Sequence, residues 1–202
     1  MKKKLISLFI ACFLMLSCSD NKLSPLTRDG IILAFGDSLT FGVGAGAQKS
    51  YPDFLSQITG LQVVNAGVSG ETTTQGLKRF QSLLDKHQPE LVILMEGGND
   101  ILRNHNLATT KKNLSEMIHL AKSFDSQVVM IGVPEKNLFS DSASFYYELA
   151  DEHQIVFLDE ILASLLRSRQ YKSDPIHLNA KGYRKLAEKI ADVLEASGAI
   201  EL

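Results

Sequence analysis

Ser38 stands in the stretch ILAFGDSLTFGVGAG, residues 32–46, where an apolar run ends in Gly-Asp-Ser and a glycine-rich loop follows. Such a turn can serve two kinds of chemistry. Its glycines can cradle phosphates, or its serine can be presented as a nucleophile. The segment GVGAGA, residues 42–47, matches the G-x-G-x-x-A form of the dinucleotide fingerprint. Its context does not fit: DSLTF separates the glycines from the apolar run, and the second run ends at Val64–Asn65 without the acidic residue such a site needs. The far end of the chain favours the nucleophile. In SDPIHLNAKGY, residues 173–183, Asp174 and His177 are spaced i, i+3. An aspartate can orient an imidazole, and the imidazole can take a serine's proton and pass it to a leaving group. The chain order Ser, Asp, His is one of several that build this geometry.

Acyl transfer also needs donors for the developing oxyanion, because fixed dipoles stabilise that charge without reorganising. Three candidates follow apolar runs: the backbone N–H of Ser38, the backbone N–H of Gly67 in NAGVSG, and the side-chain amide of Asn99 in EGGND. Asp37 and Asp100 read as loop braces, and Glu71 as an acid favouring a helix N-terminus. His87, His105, His119 and His153 fall in polar contexts, where most are expected to be solvated. Leu138 and Phe139 are candidates for an acyl pocket or for plain packing.

These groups need a scaffold. Five apolar runs, IILAF (31–35), LQVVN (61–65), LVILME (91–96), QVVMIG (127–132) and IVFLD (155–159), read as strands buried on both faces. Helical patterns alternate with them. Residues 75–86 place Leu77, Phe80 and Leu84 on one face, and residues 110–123 place Leu114, Met117, Ile118 and Ala121 on one face. Residues 142–151 and 161–169 carry weaker helical patterns. Asn179 can cap a last helix whose stripe is Tyr183, Leu186, Ala187, Ile190 and Leu194. Strand–helix alternation predicts right-handed crossovers and a parallel sheet, with ligands outside the carboxyl ends of the strands.

The chain has 202 residues and a formal net charge of -2, enough for one domain with its own core. The lack of a long basic run beyond the extreme N-terminus argues against nucleic acid as a partner. Cys12 and Cys18 are the two cysteines, with no CxxC and no Cys/His cluster, so neither a structural metal nor a cofactor is expected. Lys2–Lys4 followed by the apolar LISLFIACFLML reads as a signal segment, too short to span a bilayer as an ordinary helix. MLSCSD then resembles the lipobox of bacterial lipoproteins, which implies cleavage before Cys18, a lipid on that cysteine and attachment to a membrane of the cell envelope. The other reading is an ordinary secretory signal with a chance cysteine. The expected organisation is a signal peptide over 1–17, a lipidated cysteine and tether over 18–29, and the folded domain over 30–202. No extra apolar patch is evident, so a monomer is expected.

Four blocks carry a family resemblance. FGDSLT looks like the first block of the GDSL, or SGNH, hydrolases, and NAGVSG, with Gly67, is similar to their second. GGND, residues 97–100, matches their G-x-N-D block, and DPIH, residues 174–177, matches their D-x-x-H block. The blocks come in the family's order over about residues 31 to 195. The resemblance implies a flavodoxin-like three-layer α/β/α fold around the five-stranded parallel sheet. It also implies Ser38 as nucleophile, His177 as base, Asp174 as its orienting partner, and an oxyanion hole of Ser38, Gly67 and Asn99. The similarity is greatest to the bacterial lysophospholipase, thioesterase and arylesterase branch. This chain departs from that branch at Pro175 and Leu178, and at Met95–Glu96, where smaller or apolar residues are common. The expected activity is hydrolysis of carboxylic ester or thioester bonds of acyl substrates. The alternatives are O-deacetylation of polysaccharide, and a non-catalytic envelope protein that binds acyl chains or glycans.

Overall fold

The structure is a computed structural model that describes residues 22–135 and 141–202. The expected signal peptide, Cys18, Leu138 and Phe139 lie outside the described residues. Strands β1 (Ile31–Gly36), β2 (Gln62–Gly67), β3 (Leu91–Met95), β4 (Gln127–Ile131) and β5 (Val156–Leu158) form one parallel sheet in the order β2-β1-β3-β4-β5. The chain runs from β1 to one side, then returns to β3 on the other. A crevice therefore opens between the carboxyl ends of β1 and β3, the place where such sheets hold ligands. All five strands fall where the apolar runs predict them.

One expectation changes. Strands β1, β3 and β4 are buried along almost their whole length, but β2 is half-exposed. It is an edge strand, covered on fewer sides than its composition suggests. Its last pair with β1 is Gly36 with Gly67, so Gly67 belongs to the ladder rather than to the loop beyond it.

Eight helices flank the sheet among the described residues: α1 (Ser38–Phe41), α2 (Tyr51–Thr59), α3 (Thr73–His87), α4 (Gly98–Leu102), α5 (Leu107–Ser123), α6 (Ser144–His153), α7 (Ile161–Arg167) and α8 (Ala180–Ala196). Helix α8 has the expected stripe fully buried, and Asn179 Oδ1 caps it by accepting from Gly182 N–H at 3.0 Å. Helix α2 was not anticipated by hydrophobic periodicity. Its signal is a capping box, in which Ser50 and Asp53 satisfy each other's backbone N–H groups, with Pro52 in the first turn. It packs against α8. Tyr183 on α8 donates to Val43 C=O at 2.9 Å and so ties the last helix to the glycine loop.

The chain before β1 is not a free tether. Leu23 N–H donates to Ser197 C=O at 2.9 Å and Leu26 N–H to Ala199 C=O at 2.8 Å. Gln127 exchanges two hydrogen bonds with the Ser24 backbone, and Glu90 accepts from Thr27 N–H at 2.8 Å. Residues 23–27 are therefore docked on the domain ahead of β1.

His153 also departs from expectation, being buried at the end of α6. Its Nε2 meets Ser115 Oγ at 2.8 Å, and its ring lies edge-on to His119 at 4.8 Å. Burial and the neighbouring His119 hold its pKa below 6.5. A histidine with a lowered folded-state pKa supports stability above its unfolded value, and that support is lost as pH falls through the folded value. The Tm of the wild type is expected to fall more steeply than that of His153→Gln between about pH 7 and about pH 5 in calorimetry. Parallel Tm curves for the two proteins would remove His153 as the acid-sensitive group.

Candidate active site

Ser38 is the first residue of α1, immediately beyond the end of β1. The turn Ser173–Leu178, just before α8, brings the imidazole to it. His177 Nε2 lies 3.1 Å from Ser38 Oγ, and His177 Nδ1 lies 2.7 Å from Asp174 Oδ2. With the Nδ1 proton facing Asp174, Nε2 is left to accept from the Ser38 O–H. The other oxygen of Asp174 accepts from the backbone N–H groups of Ile176 and His177, each at 2.9 Å. Partial burial works to raise the Asp174 pKa. The hydrogen bonds from Ile176 and His177 outweigh it and hold the carboxyl below the usual aspartate value. The site thus has an ionised carboxylate, an imidazole of set tautomer and a hydroxyl in one line.

The glycine loop supports this turn from below. Gly44 has φ of +90°, and a Cβ there would sit 2.1 Å from Ser173 Oγ and 2.7 Å from Leu178 C=O. Only a residue without a side chain lets the two loops approach so closely. The loop shapes the surroundings of His177, as its failed nucleotide fingerprint left open.

Asp37 and Asn99 sit side by side across the β1–β3 crevice. Asp37 Oδ1 caps α1 by accepting from Leu39 N–H at 3.0 Å, and its Oδ2 accepts from Asn99 Nδ2 at 3.1 Å. One amide hydrogen of Asn99 is thereby fixed, which directs the rest of the side chain. Asp37 is the brace expected from sequence, and it is an electrostatically costly one. Desolvation raises its pKa from 3.8 to about 6, against the Leu39 and Asn99 hydrogen bonds and the nearby His177, which lower it.

Gly67 does not fit the place expected of it. Its N–H donates to Asn65 Oδ1 at 2.9 Å, and a Cβ on it would lie 2.1 Å from Phe41 N. It packs beneath α1, out of the cleft. Gly70, three residues on, lines the cleft with Ser38, Asn99 and His177. No group among the described residues accepts from its N–H, while its C=O accepts from Arg103 at 3.0 Å. The second backbone donor in reach of the site is therefore Gly70. The sequence signal was present in NAGVSGETT: of the two glycines, Gly70 lies in the turn between strand and helix cap.

Two buried carboxylates brace these loops. Asp100 is buried and accepts from Thr73 N–H at 2.9 Å, Thr73 Oγ1 at 2.8 Å and Thr110 Oγ1 at 3.3 Å, joining the starts of α3, α4 and α5. Glu71 does not act on a helix terminus; Arg79 Nε binds its oxygens at 2.8 and 2.9 Å. Arg79 also donates to Ala66 C=O at 2.8 Å and stacks over Phe35 at 4.2 Å. The cleft itself has a volume of about 280 Å³ and is walled by Ile101, Val133, Pro134, Leu166, Pro175 and Ile176. Pro175, the departure noted in the sequence, is part of that wall. Among the described residues no group of three or more His, Cys, Asp or Glu side chains is placed to hold a metal ion.

A hydroxyl, imidazole and carboxylate in line at the carboxyl edge of a parallel sheet form the constellation of a serine hydrolase. Residues 34–185 match the GDSL-like lipase/acylhydrolase family, and the chain belongs to it as a serine esterase. It is 33% identical over 174 residues to an arylesterase of Vibrio mimicus, covering 81% of this chain and 87% of that one. It is 30% identical over 172 residues to the thioesterase 1/protease 1/lysophospholipase L1 of Escherichia coli K12, covering 81% and 83%. The crystal structure of AlinE4, an SGNH-hydrolase family esterase, superposes with a TM-score of 0.65 at 29% identity, over 85% of this chain and 98% of that one. The crystal structure of TesA has the same fold, with a TM-score of 0.75 at 24% identity, over 83% and 99%.

The Asp37 geometry carries a test. A carboxyl whose folded-state pKa is raised loses stability as pH climbs from its unfolded to its folded value, and stays penalised above that. Asp37→Asn keeps a capping oxygen but replaces the acceptor that holds Asn99. It is expected to raise Tm at about pH 8, to lose that advantage below about pH 4, and to lower kcat at least about tenfold. Unchanged kcat at either pH would remove Asp37 as the group that orients Asn99.

Proposed function

We propose that Ser38 attacks the carbonyl carbon of an acyl ester or thioester while His177 Nε2 accepts its proton. The tetrahedral oxyanion is held by the N–H groups of Ser38 and Gly70 and the free amide hydrogen of Asn99. His177 then protonates the leaving oxygen or sulfur, and an acyl-enzyme remains on Ser38. Water, deprotonated by His177, attacks that acyl group and releases the carboxylic acid. Asp174 keeps the Nδ1 proton in place and stabilises the imidazolium that forms twice in each turnover.

The apolar wall of the cleft carries the reading of the substrate. A polysaccharide acetyl group would leave Ile101, Val133 and Leu166 without contacts. An acyl chain of several methylenes would bury against them at about 0.8 kcal/mol each. Of the large exposed apolar side chains, Phe41, Val68 and Leu102 follow the carboxyl ends of β1, β2 and β3, and Leu102 and Ile176 line the cleft itself. This agrees with an amphiphilic acyl donor such as a lysophospholipid or an aryl ester, the substrates in the relatives' names.

The domain is further proposed to be held in the bacterial cell envelope by a lipid on Cys18, on the strength of the MLSCSD motif. Palmitate label on the wild type, absent from Cys18→Ala, is the expected result; equal label on both removes the anchor.

Hydrolysis of p-nitrophenyl esters from acetyl to palmitoyl, by the wild type and Ser38→Ala, tests the mechanism and the substrate together. Ser38→Ala is expected to lose activity at least about a thousandfold with an unchanged circular dichroism spectrum. For the wild type, kcat/KM is expected to rise about fourfold per added methylene until the cleft is filled. Activity confined to acetyl esters would move the assignment to sugar deacetylation. Full activity in Ser38→Ala would remove the mechanism.

A further inference from the structure

Glu96 is a carboxyl group in an apolar place. It follows the last residue of β3 and has no solvent exposure. Its Oε1 accepts from the N–H of Gly97 at 3.3 Å, and its backbone C=O accepts from Tyr146 O–H at 2.7 Å. Its Oε2 is buried without a hydrogen-bond partner among the described residues. Both contacts bear on one short turn, Gly97–Gly98, which delivers Asn99 to the crevice.

The charges around Glu96 decide its state. Asp37 faces it from the β1–α1 junction, Glu71 from the loop before α3, Asp100 from α4, and the Tyr146 hydroxyl from α6. Arg79 is bound to Glu71. A carboxylate at Glu96 would be repelled by three acids, with the Gly97 N–H as its single donor among the described residues. Burial first, and Asp37 next, hold the Glu96 pKa well above 4.5.

We propose that Glu96 is a positioning residue, a neutral carboxylic acid that seats the Gly97–Gly98 turn and through it the amide of Asn99. Its neutrality leaves Asp37 as the carboxylate that accepts from Asn99. The role rests on Asn99 being an oxyanion donor, and it adds a residue that touches neither substrate nor reacting atoms.

Three variants test it. Glu96→Leu removes the acceptor for Gly97 N–H while keeping an apolar volume. Glu96→Gln keeps a neutral acceptor of the same shape. Glu96→Leu is expected to lower kcat about tenfold or more with KM within about twofold, and Glu96→Gln to recover most of that loss. Equal kcat for the wild type and Glu96→Leu, or equal losses in the leucine and glutamine variants, overturns the proposal. Asn99→Ala, measured beside them, separates the two readings. A wild-type kcat in Asn99→Ala removes the oxyanion role, whereas a loss there with none in Glu96→Leu removes only the positioning by Glu96.

Should Glu96→Leu not fold, stability decides. A group that keeps its proton in the folded state while losing it in the unfolded state weakens the fold as pH rises. The Tm of Glu96→Gln minus that of the wild type is therefore expected to grow between about pH 5 and about pH 8. A difference that does not change with pH means that Glu96 is ionised in the fold, and overturns the proposal.

Discussion

Asp37 is the group on which the site turns. Its carboxylate is nearly without solvent, yet it must stay ionised to accept from both Leu39 N–H and Asn99 Nδ2. The pKa rise from 3.8 to about 6 amounts to about 3 kcal/mol of folding free energy at neutral pH. What this cost supports is spatial: one side chain caps the short helix that begins with Ser38 and fixes the amide of Asn99 beside it. A nucleophile and a donor from two different strands are thereby locked into one frame.

The order of the strands makes that frame possible. Because β1 pairs with β3 as well as β2, the turns after these strands open into one crevice. The turns are braced by buried carboxylates, β2–α3 by Glu71 with Arg79 and β3–α4 by Asp100 with Thr110, and the Asp100–Thr73 hydrogen bonds tie the two turns together. The result is a preorganised set of dipoles at the end of a rigid core, the condition under which an oxyanion is stabilised without reorganisation. Asp37, Glu71 and Asp100 each hold two or more donors at once. They and Glu96 coexist only if their charges are limited, by the Arg79 ion pair for Glu71 and by protonation for Glu96.

The histidine comes from elsewhere. Asp174 and His177 lie on a turn held by its own backbone hydrogen bonds, by close approach of the Gly44 loop and by the start of α8. Helix α8 in turn is seated by its buried stripe and by α2. The base is therefore positioned by the last helix and the nucleophile by the first strand. Their 3.1 Å meeting is a product of the whole fold. Pro175 adds a wall to the acyl cleft without disturbing the Asp174 oxygens, both of which remain satisfied.

Much of this was determined by the sequence alone. Continuous apolar runs place all five strands, because interior parallel strands need apolar residues on both faces. Asn179 and the stripe behind it define α8, and Ser38, Asn99, Asp174 and His177 are legible from residue type, order and the four blocks. Tertiary structure decided the rest. That β2 is an edge, and that its ladder reaches Gly67, depends on strand order and register, which no local pattern encodes. Hence Gly67, whose N–H is taken by Asn65, differs from Gly70, whose N–H has no acceptor among the described residues, for a reason that strand register makes plain. The docking of residues 23–27, the burial of His153 and the protonated state of Glu96 have the same origin. Burial and partnership are set by segments distant in the chain, and it is these, rather than residue type, that determine a group's hydrogen bonds and its charge.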